Sequence, residues 1–232
     1  MAETPAQVPP TGGDVRVKIC GLTRVEDALV AVDAGADLIG MIFYPPSPRH
    51  VSLTRARTMV RAVRATGVPV RIVGVTVNAP KWLLHALLEE VGVDWVQCHG
   101  DEPPDRVAAL RGRGFKAVRL TKATLEESAA FLDIGPADGP HLLVDAAVPG
   151  AYGGTGHRAD WKAAALLARQ GPILLAGGLT PENVMAAIRQ VRPWGVDVSS
   201  GVELRPGQKD PARVRAFIAR VRAAVREAQR DT

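Results

Sequence analysis

The sequence predicts a single (β/α)8 barrel, and three observations carry the prediction. Short strand patterns and helix patterns alternate from end to end, there are eight of each, and the strands are mostly apolar on both faces. Two apolar faces are what parallel strands need when helices cover the sheet. The 218 residues from 15 to 232 divide into eight units of about 27 residues each, slightly tight for such a barrel, which typically takes about 250 residues. A doubly wound open sheet would want G-x-G-x-x-G after its first strand, and C-G-L-T-R-V is not that pattern.

The elements follow in order. Val15–Ile19 is a strand that stops at Cys20, and Gly21 permits a sharp turn. Thr23 and Glu26 have capping-box spacing and predict a helix from about Arg24 to Ala34, closed by Gly35. Leu38–Phe43 leads to a helix over about Thr54–Ala65, Val70–Val77 to Pro80–Val91, and Trp95–Cys98 to Pro103–Arg111. Phe115–Leu120 leads to a helix opened by a second capping-box spacing, Thr124 and Glu127. His141–Val144 leads to Trp161–Arg169 and Ile173–Ala176 to Pro181–Val191, with Thr180 as N-cap and Pro181 at the first helical position. Val196–Ser199 leads to a last helix from about Pro211. Trp82, Trp95, Trp161 and Trp194 are expected to pack between helices and strands.

Composition narrows the function. Hydrophobic residues make up 47% of the chain, enough for a substantial core, but no apolar run approaches the ~18 residues of a membrane span. Residues 1–14 have neither a basic start nor an apolar segment, and read as a disordered tail and not as a secretory signal. Two cysteines give no disulfide framework, and no Cys/His spacing suggests a metal site, so a reduced, cytoplasmic setting is expected. The net charge of +5 comes from 29 Lys+Arg against 24 Asp+Glu. Much of the excess lies in the last helix, where interleaved Ala, Val, Phe217 and Ile218 indicate a solvated helix face and not a nucleic-acid surface. A mildly basic protein attracts a small anionic substrate.

In such a barrel the loops after the strands form the active face, and the polar residues of this chain collect there. Cys20 ends the first strand, Ser47 and Arg49 follow the second, and Asn78 ends the third. His99, Asp101 and Glu102 follow the fourth, and Asp145 ends the sixth. Gly177 and Gly178 follow the seventh, and Ser199, Ser200 and Gly201 the eighth. The last two loops occupy the usual phosphate position of barrels, with glycines for close backbone approach.

KICGLT, FYPPSPRHVS, VQCHGDE, LLVDA, YGGTG, LAGGLTPENV and DVSSGVE, in that order, resemble the phosphoribosylanthranilate isomerase family of tryptophan biosynthesis over about residues 15–220. The resemblance implies a cofactor-free Amadori rearrangement of an aminoaldose to an aminoketose. By it, Asp145 is the general acid and Cys20 the general base. Arg49 holds the anthranilate carboxylate. Gly154, Gly177, Gly178, Ser199, Ser200 and Gly201 hold the phosphate, and Asp197 and His99 are further candidates for substrate contact. It implies a phosphorylated small-molecule substrate, no metal, no nucleic acid or membrane partner, and a monomer or homodimer.

Strand alternation adds to this. Lys18 faces the same way as Cys20, into the barrel, and strand eight neighbours strand one, so Asp197 is its expected mate; substrate hydroxyls are the second reading for Asp197. Gln97 and His99 share a face and Cys98 points to the core. His99 either lines the site or closes a turn. The chain departs from the family pattern at Thr76, where phenylalanine is more usual and the pocket floor is expected to change, and at His157, in place of a cation near the strand-six loop.

Overall fold

The computed structural model describes residues 15–120, 124–146 and 160–230. Eight parallel strands close into a barrel in sequence order. They are β1 (Arg16–Ile19), β2 (Leu38–Ile42), β3 (Arg71–Thr76), β4 (Trp95–Cys98), β5 (Gly114–Leu120), β6 (Leu142–Ala146), β7 (Ile173–Leu175) and β8 (Gly195–Val198). The helices are α1 (Val25–Asp33), α2 (Leu53–Arg64), α3 (Lys81–His85), α4 (Pro104–Ala108), α5 (Leu125–Ala129), α6 (Trp161–Ala168), α7 (Val184–Val191) and α8 (Pro211–Arg230), and α3 runs on as a π-helical stretch, Ala86–Val91. Each predicted unit is present. Between β8 and α8 lies an unforeseen hairpin, β9 (Glu203–Arg205) with β10 (Gln208–Lys209).

Two apolar layers follow from strand alternation. Val17, Ile19, Ile39, Ile72, Val96 and Val144 face outward, into the layer shared with the helices. Leu38, Val73, Trp95, Phe115, Leu143 and Leu174 face inward and fill the barrel. The seam is closed by β1 against β8, with Lys18 opposite Asp197. Cys98 is buried in the outer layer, and burial pushes its thiol up to about 12. Thr76 sits opposite Cys98 in the β3–β4 register, so it also faces the helices. The expected change to a pocket floor at Thr76 is therefore corrected: inward positions on β3 belong to Val73 and Val75.

Local chemistry explains several boundaries. Ser52, Asp160 and Asp210 each accept from amides of the following turn and open α2, α6 and α8. The two predicted capping boxes do not form. The N-cap of α1 is Arg24, and the Thr23 hydroxyl instead donates to the Gly207 carbonyl of the hairpin, 2.5 Å away. The Thr124 hydroxyl donates back to the Arg119 carbonyl. Thr180 does accept from the Glu182 amide, although α7 is regular only from Val184. The tryptophans also divide. Trp161 is buried on the helix side, but Trp95 and Trp194 pack in the barrel interior and Trp82 is exposed. Among the described residues no helix is long and apolar enough to cross a membrane.

The last helix is fastened across the closed end. Arg222 donates to the carbonyls of Val15 and Gly35 and to Asp37 Oδ2, at 2.8, 2.9 and 2.8 Å, and Asp37 Oδ2 also accepts from the Val17 amide. Arg222→Met should lower unfolding free energy by about 1.5–3 kcal/mol, the range for hydrogen bonds to charged groups. Denaturant titration of the variant checks this, and an unmoved midpoint contradicts it.

Candidate active site

Residues at the C-terminal ends of the strands converge on a polar belt above the apolar filling. Cys20 follows β1, is 6% exposed, and is tied to the seam by its amide, which donates to the Val198 carbonyl. Its sulfur lies over Gly40 of β2, where an added Cβ would stand 2.8 Å from Sγ. A larger residue at position 40 would displace the thiol. Lys18, one inward position below, is fully buried. Its Nζ donates to Asp197 Oδ1 at 2.8 Å and to Gln97 Oε1 at 3.0 Å.

Burial alone would lower the Lys18 pKa, but Asp197 and Cys20 outweigh it and hold the ammonium above its ordinary range. Burial pushes the Cys20 thiol up, against the pull of Lys18 and, more weakly, Lys209. These two ammonium groups supply positive charge beside the sulfur.

Asp145, on β6, is 7% exposed and faces His99, with Nε2 to Oδ2 at 3.6 Å. The other ring nitrogen of His99 meets Gln97 Nε2 at 2.8 Å. Asp145 and Asp197 line one cleft together with Gly177, Gly178, Ser199, Ser200 and Gly201. Gly177 and Gly178 have φ of 83° and 63°, which a side chain at either position would strain. Among the described residues the buried Ser199 Oγ has no hydrogen-bond partner; it lies against Gly21, where an added Cβ would stand 2.7 Å from it.

Arg49 reaches the belt from the loop after β2 and is nearly buried. Glu203 of β9 grips its Nε and Nη2 edge at 2.9 and 2.8 Å. Lys209 of β10 binds Glu203 Oε1 at 2.8 Å and the Ser199 carbonyl at 3.1 Å. The hairpin thus couples the arginine to the strand-eight loop. That grip occupies one edge of the guanidinium and leaves the Nη1–Nη2 edge facing away from Glu203.

Of the residues singled out from sequence, Cys20, Arg49, His99, Asp145, Gly177, Gly178, Asp197, Ser199, Ser200 and Gly201 lie on this face. Gly154 and His157 fall outside the described residues. Sequence reasoning missed Glu203 and Lys209. Glu203 ends the DVSSGVE motif and carried a usable signal; Lys209 carried none. Among the described residues no group of three or more His, Cys, Asp or Glu is placed to hold a metal ion.

A family model described as N-(5'-phosphoribosyl)anthranilate (PRA) isomerase matches residues 17–220. The chain belongs to this isomerase family, an enzyme family of tryptophan biosynthesis. The N-(5'-phosphoribosyl)anthranilate isomerase of Geobacter metallireducens is 46% identical over 211 residues, covering 90% of this chain and 100% of its own. That of Pseudomonas fluorescens is also 46% identical, covering 90% and 96%. Among solved structures, phosphoribosyl anthranilate isomerase from Thermotoga maritima superposes with a TM-score of 0.79 at 36% identity, covering 90% and 99%. Another member, solved with reduced 1-(o-carboxyphenylamino)-1-deoxyribulose 5-phosphate, gives 0.76 at 35% identity with the same coverage. The Thermotoga enzyme is described as dimeric.

The Arg49–Glu203–Lys209 cluster predicts an acid limb. Burial raises the Glu203 pKa, but hydrogen bonds and charge from Arg49 and Lys209 outweigh it and hold the carboxyl below its ordinary range. A depressed carboxyl contributes stability above the unfolded-state value of about 4.3 and loses it as pH falls through the folded value. Glu203→Gln should therefore cost about 3–5 kcal/mol at neutral pH, as for a broken buried pair, and the gap from wild type should narrow below about pH 4.3. Thermal melts across pH check this; a gap that is constant with pH contradicts it.

Proposed function

We propose that this enzyme isomerises N-(5-phosphoribosyl)anthranilate to 1-(2-carboxyphenylamino)-1-deoxyribulose 5-phosphate, with Asp145 as general acid and Cys20 as general base. The observation that carries the proposal is that one inward belt holds a carboxyl group and a thiol at strand ends, between a glycine-lined cleft and a half-occupied arginine. The substrate has the complementary order: phosphate at one end, a ribose carrying the reacting atoms, and an aromatic carboxylate at the other.

The phosphate occupies the cleft of Gly177, Gly178, Ser199, Ser200 and Gly201, where a hydroxyl and glycine backbone can face it. Gly154 is assigned to the same group. Arg49, held by Glu203, presents its outer edge to the anthranilate carboxylate as a planar fork. Asp197, whose Oδ1 binds Lys18, keeps Oδ2 for a ribose hydroxyl. A monomer and a homodimer both fit this use of the site, because every assigned residue belongs to one chain.

Chemistry starts with proton transfer from Asp145 to the furanose ring oxygen. The C1–O bond breaks and the nitrogen lone pair forms the C1 iminium. The Cys20 thiolate then removes the proton from C2, and the electron pair moves into the C1–C2 bond to quench the iminium. The enolamine ketonises: C1 gains a proton, the 2-hydroxyl loses one, and no net proton is consumed. The iminium is the electron sink, so the step needs only a base. Because burial pushes Cys20 up, the free enzyme is mostly thiol at neutral pH, and the adjacent Lys18 ammonium stabilises the thiolate that reacts. Ionisation of Cys20 should therefore contribute a rate limb that rises with pH past the ordinary thiol range of about 8.5. The need for a protonated acid contributes a limb that falls with pH, so the profile is a bell whose limbs belong to the pair.

Two sets of variants separate the roles. Cys20→Ser and Asp145→Asn should each lower kcat by at least about 10²–10⁴, the usual contribution of one acid or base, while remaining folded and binding the reduced product analogue. Arg49→Ala should act mainly on KM, with a loss of about 1.5–3 kcal/mol of binding. Loss of substrate fluorescence measures turnover and circular dichroism measures folding. Near-normal kcat in folded Cys20→Ser removes the thiol from the mechanism. Analogue binding without turnover in the wild-type chain would leave a phosphometabolite-binding barrel instead of an isomerase.

A further inference from the structure

The polar belt contains a chain of contacts whose donor and acceptor roles are fixed from one end. Lys18 Nζ donates to Gln97 Oε1 at 3.0 Å. An ammonium has only donors, so the amide oxygen must face it. Asp197 and Cys20 keep Lys18 in the ammonium form. The Gln97 amide nitrogen then faces His99 Nδ1 at 2.8 Å. An amide NH2 also has only donors, so Nδ1 must present a lone pair. In a neutral imidazole the proton is then on Nε2, because the bond made by one ring nitrogen sets the state of the other. Among the described residues Nε2 is buried without a hydrogen-bond partner, and a carboxylate oxygen, Asp145 Oδ2, lies 3.6 Å from it.

We propose that Gln97 locks His99 in its Nε2–H tautomer, and that His99 is a positioning residue that aims this N–H at Oδ2 of Asp145. The inference rests on Asp145 being the general acid. With Oδ2 engaged by the imidazole, the proton to be transferred sits on Oδ1. When that proton leaves, the Nε2–H meets the new carboxylate charge. The 3.6 Å gap closes to a hydrogen bond when substrate fills the cleft, as catalytic contacts often tighten on binding. A flipped amide at Gln97 would set an NH2 against an NH3⁺, so the lock is as strong as the buried Lys18–Asp197 pair that anchors it. His99 thus acts on the acid and not directly on substrate.

The test combines a spectrum with a pair of substitutions, on the full chain. Ring-¹⁵N histidine labelling distinguishes bare from protonated nitrogens, and the chain has five histidines, so His99 is assigned by its loss in a variant. At about pH 8, above the ordinary imidazole range, the wild type should show a bare Nδ1 and a protonated Nε2 at His99. Gln97→Met should let the Nδ1–H form appear. His99→Gln, whose amide can set a donor near the Nε2 position, should retain most of kcat. His99→Asn, whose donor falls near Nδ1, should lose about 10–100-fold in kcat, as expected of a misplaced catalytic group, with KM little changed.

An Nδ1–H tautomer in the wild type overturns the proposal, whether or not any variant folds. So does an unaltered spectrum in Gln97→Met, or a folded His99→Gln that loses kcat as fully as His99→Asn. Wild-type inactivity toward phosphoribosylanthranilate overturns the isomerase reading and this inference with it. Wild-type activity combined with any of the preceding results overturns the inference alone.

Discussion

The ion pair between Lys18 and Asp197 is the constraint on which the rest of the belt depends. It joins the first strand to the last, so it exists only when the barrel is closed. A buried ammonium without a partner is too costly to keep, and the pair therefore binds the closure of the fold to the assembly of the site. From Lys18 the polar contacts run one way to the Cys20 thiol and the other way through Gln97 and His99 to Asp145. One buried cation thereby stands between the proposed base and the proposed acid. A second cation, Lys209, does a similar job for Glu203 and Arg49 at the other rim.

In the proposed mechanism a cysteine and an aspartate serve in roles opposite to their ordinary order of ionisation, and the arrangement bears on the cysteine. The site does not turn Cys20 into a stable thiolate, since burial pushes the thiol up. It places an ammonium beside a sulfur that ionises in a minority of molecules. Charges in such a low-dielectric setting interact strongly, and their fixed positions need no reorganisation during the reaction.

Most of this was legible in the sequence, for identifiable reasons. Strand alternation put Lys18 and Cys20 on one face and Gln97 and His99 on another, and barrel closure then named Asp197 as the partner of Lys18. Such inferences survive because period-two alternation admits no half-steps. The capping boxes failed because a threonine hydroxyl chooses among acceptors that the sequence does not locate. Thr23 found Gly207, which is 184 residues away. Glu203 and Lys209 were missed for a related reason. They sit on a short hairpin after β8 that has no hydrophobic periodicity to announce it, and their importance comes only from the arginine beneath which they fold. Trp82 and Trp95 show the limit of residue type alone, since one is exposed and the other lies inside the barrel.

The central claim is that one ligand spans the belt in a single orientation, phosphate at the glycine cleft and carboxylate at Arg49, with its ribose between Cys20 and Asp145. A crystal structure of this chain with reduced 1-(o-carboxyphenylamino)-1-deoxyribulose 5-phosphate measures that directly. The account predicts the phosphate against Gly177–Gly178 and Ser199–Gly201, the carboxylate on the Nη1–Nη2 edge of Arg49, and C2 in contact with the Cys20 sulfur. A ligand bound in the reverse sense, or with C2 out of reach of Cys20, would contradict it.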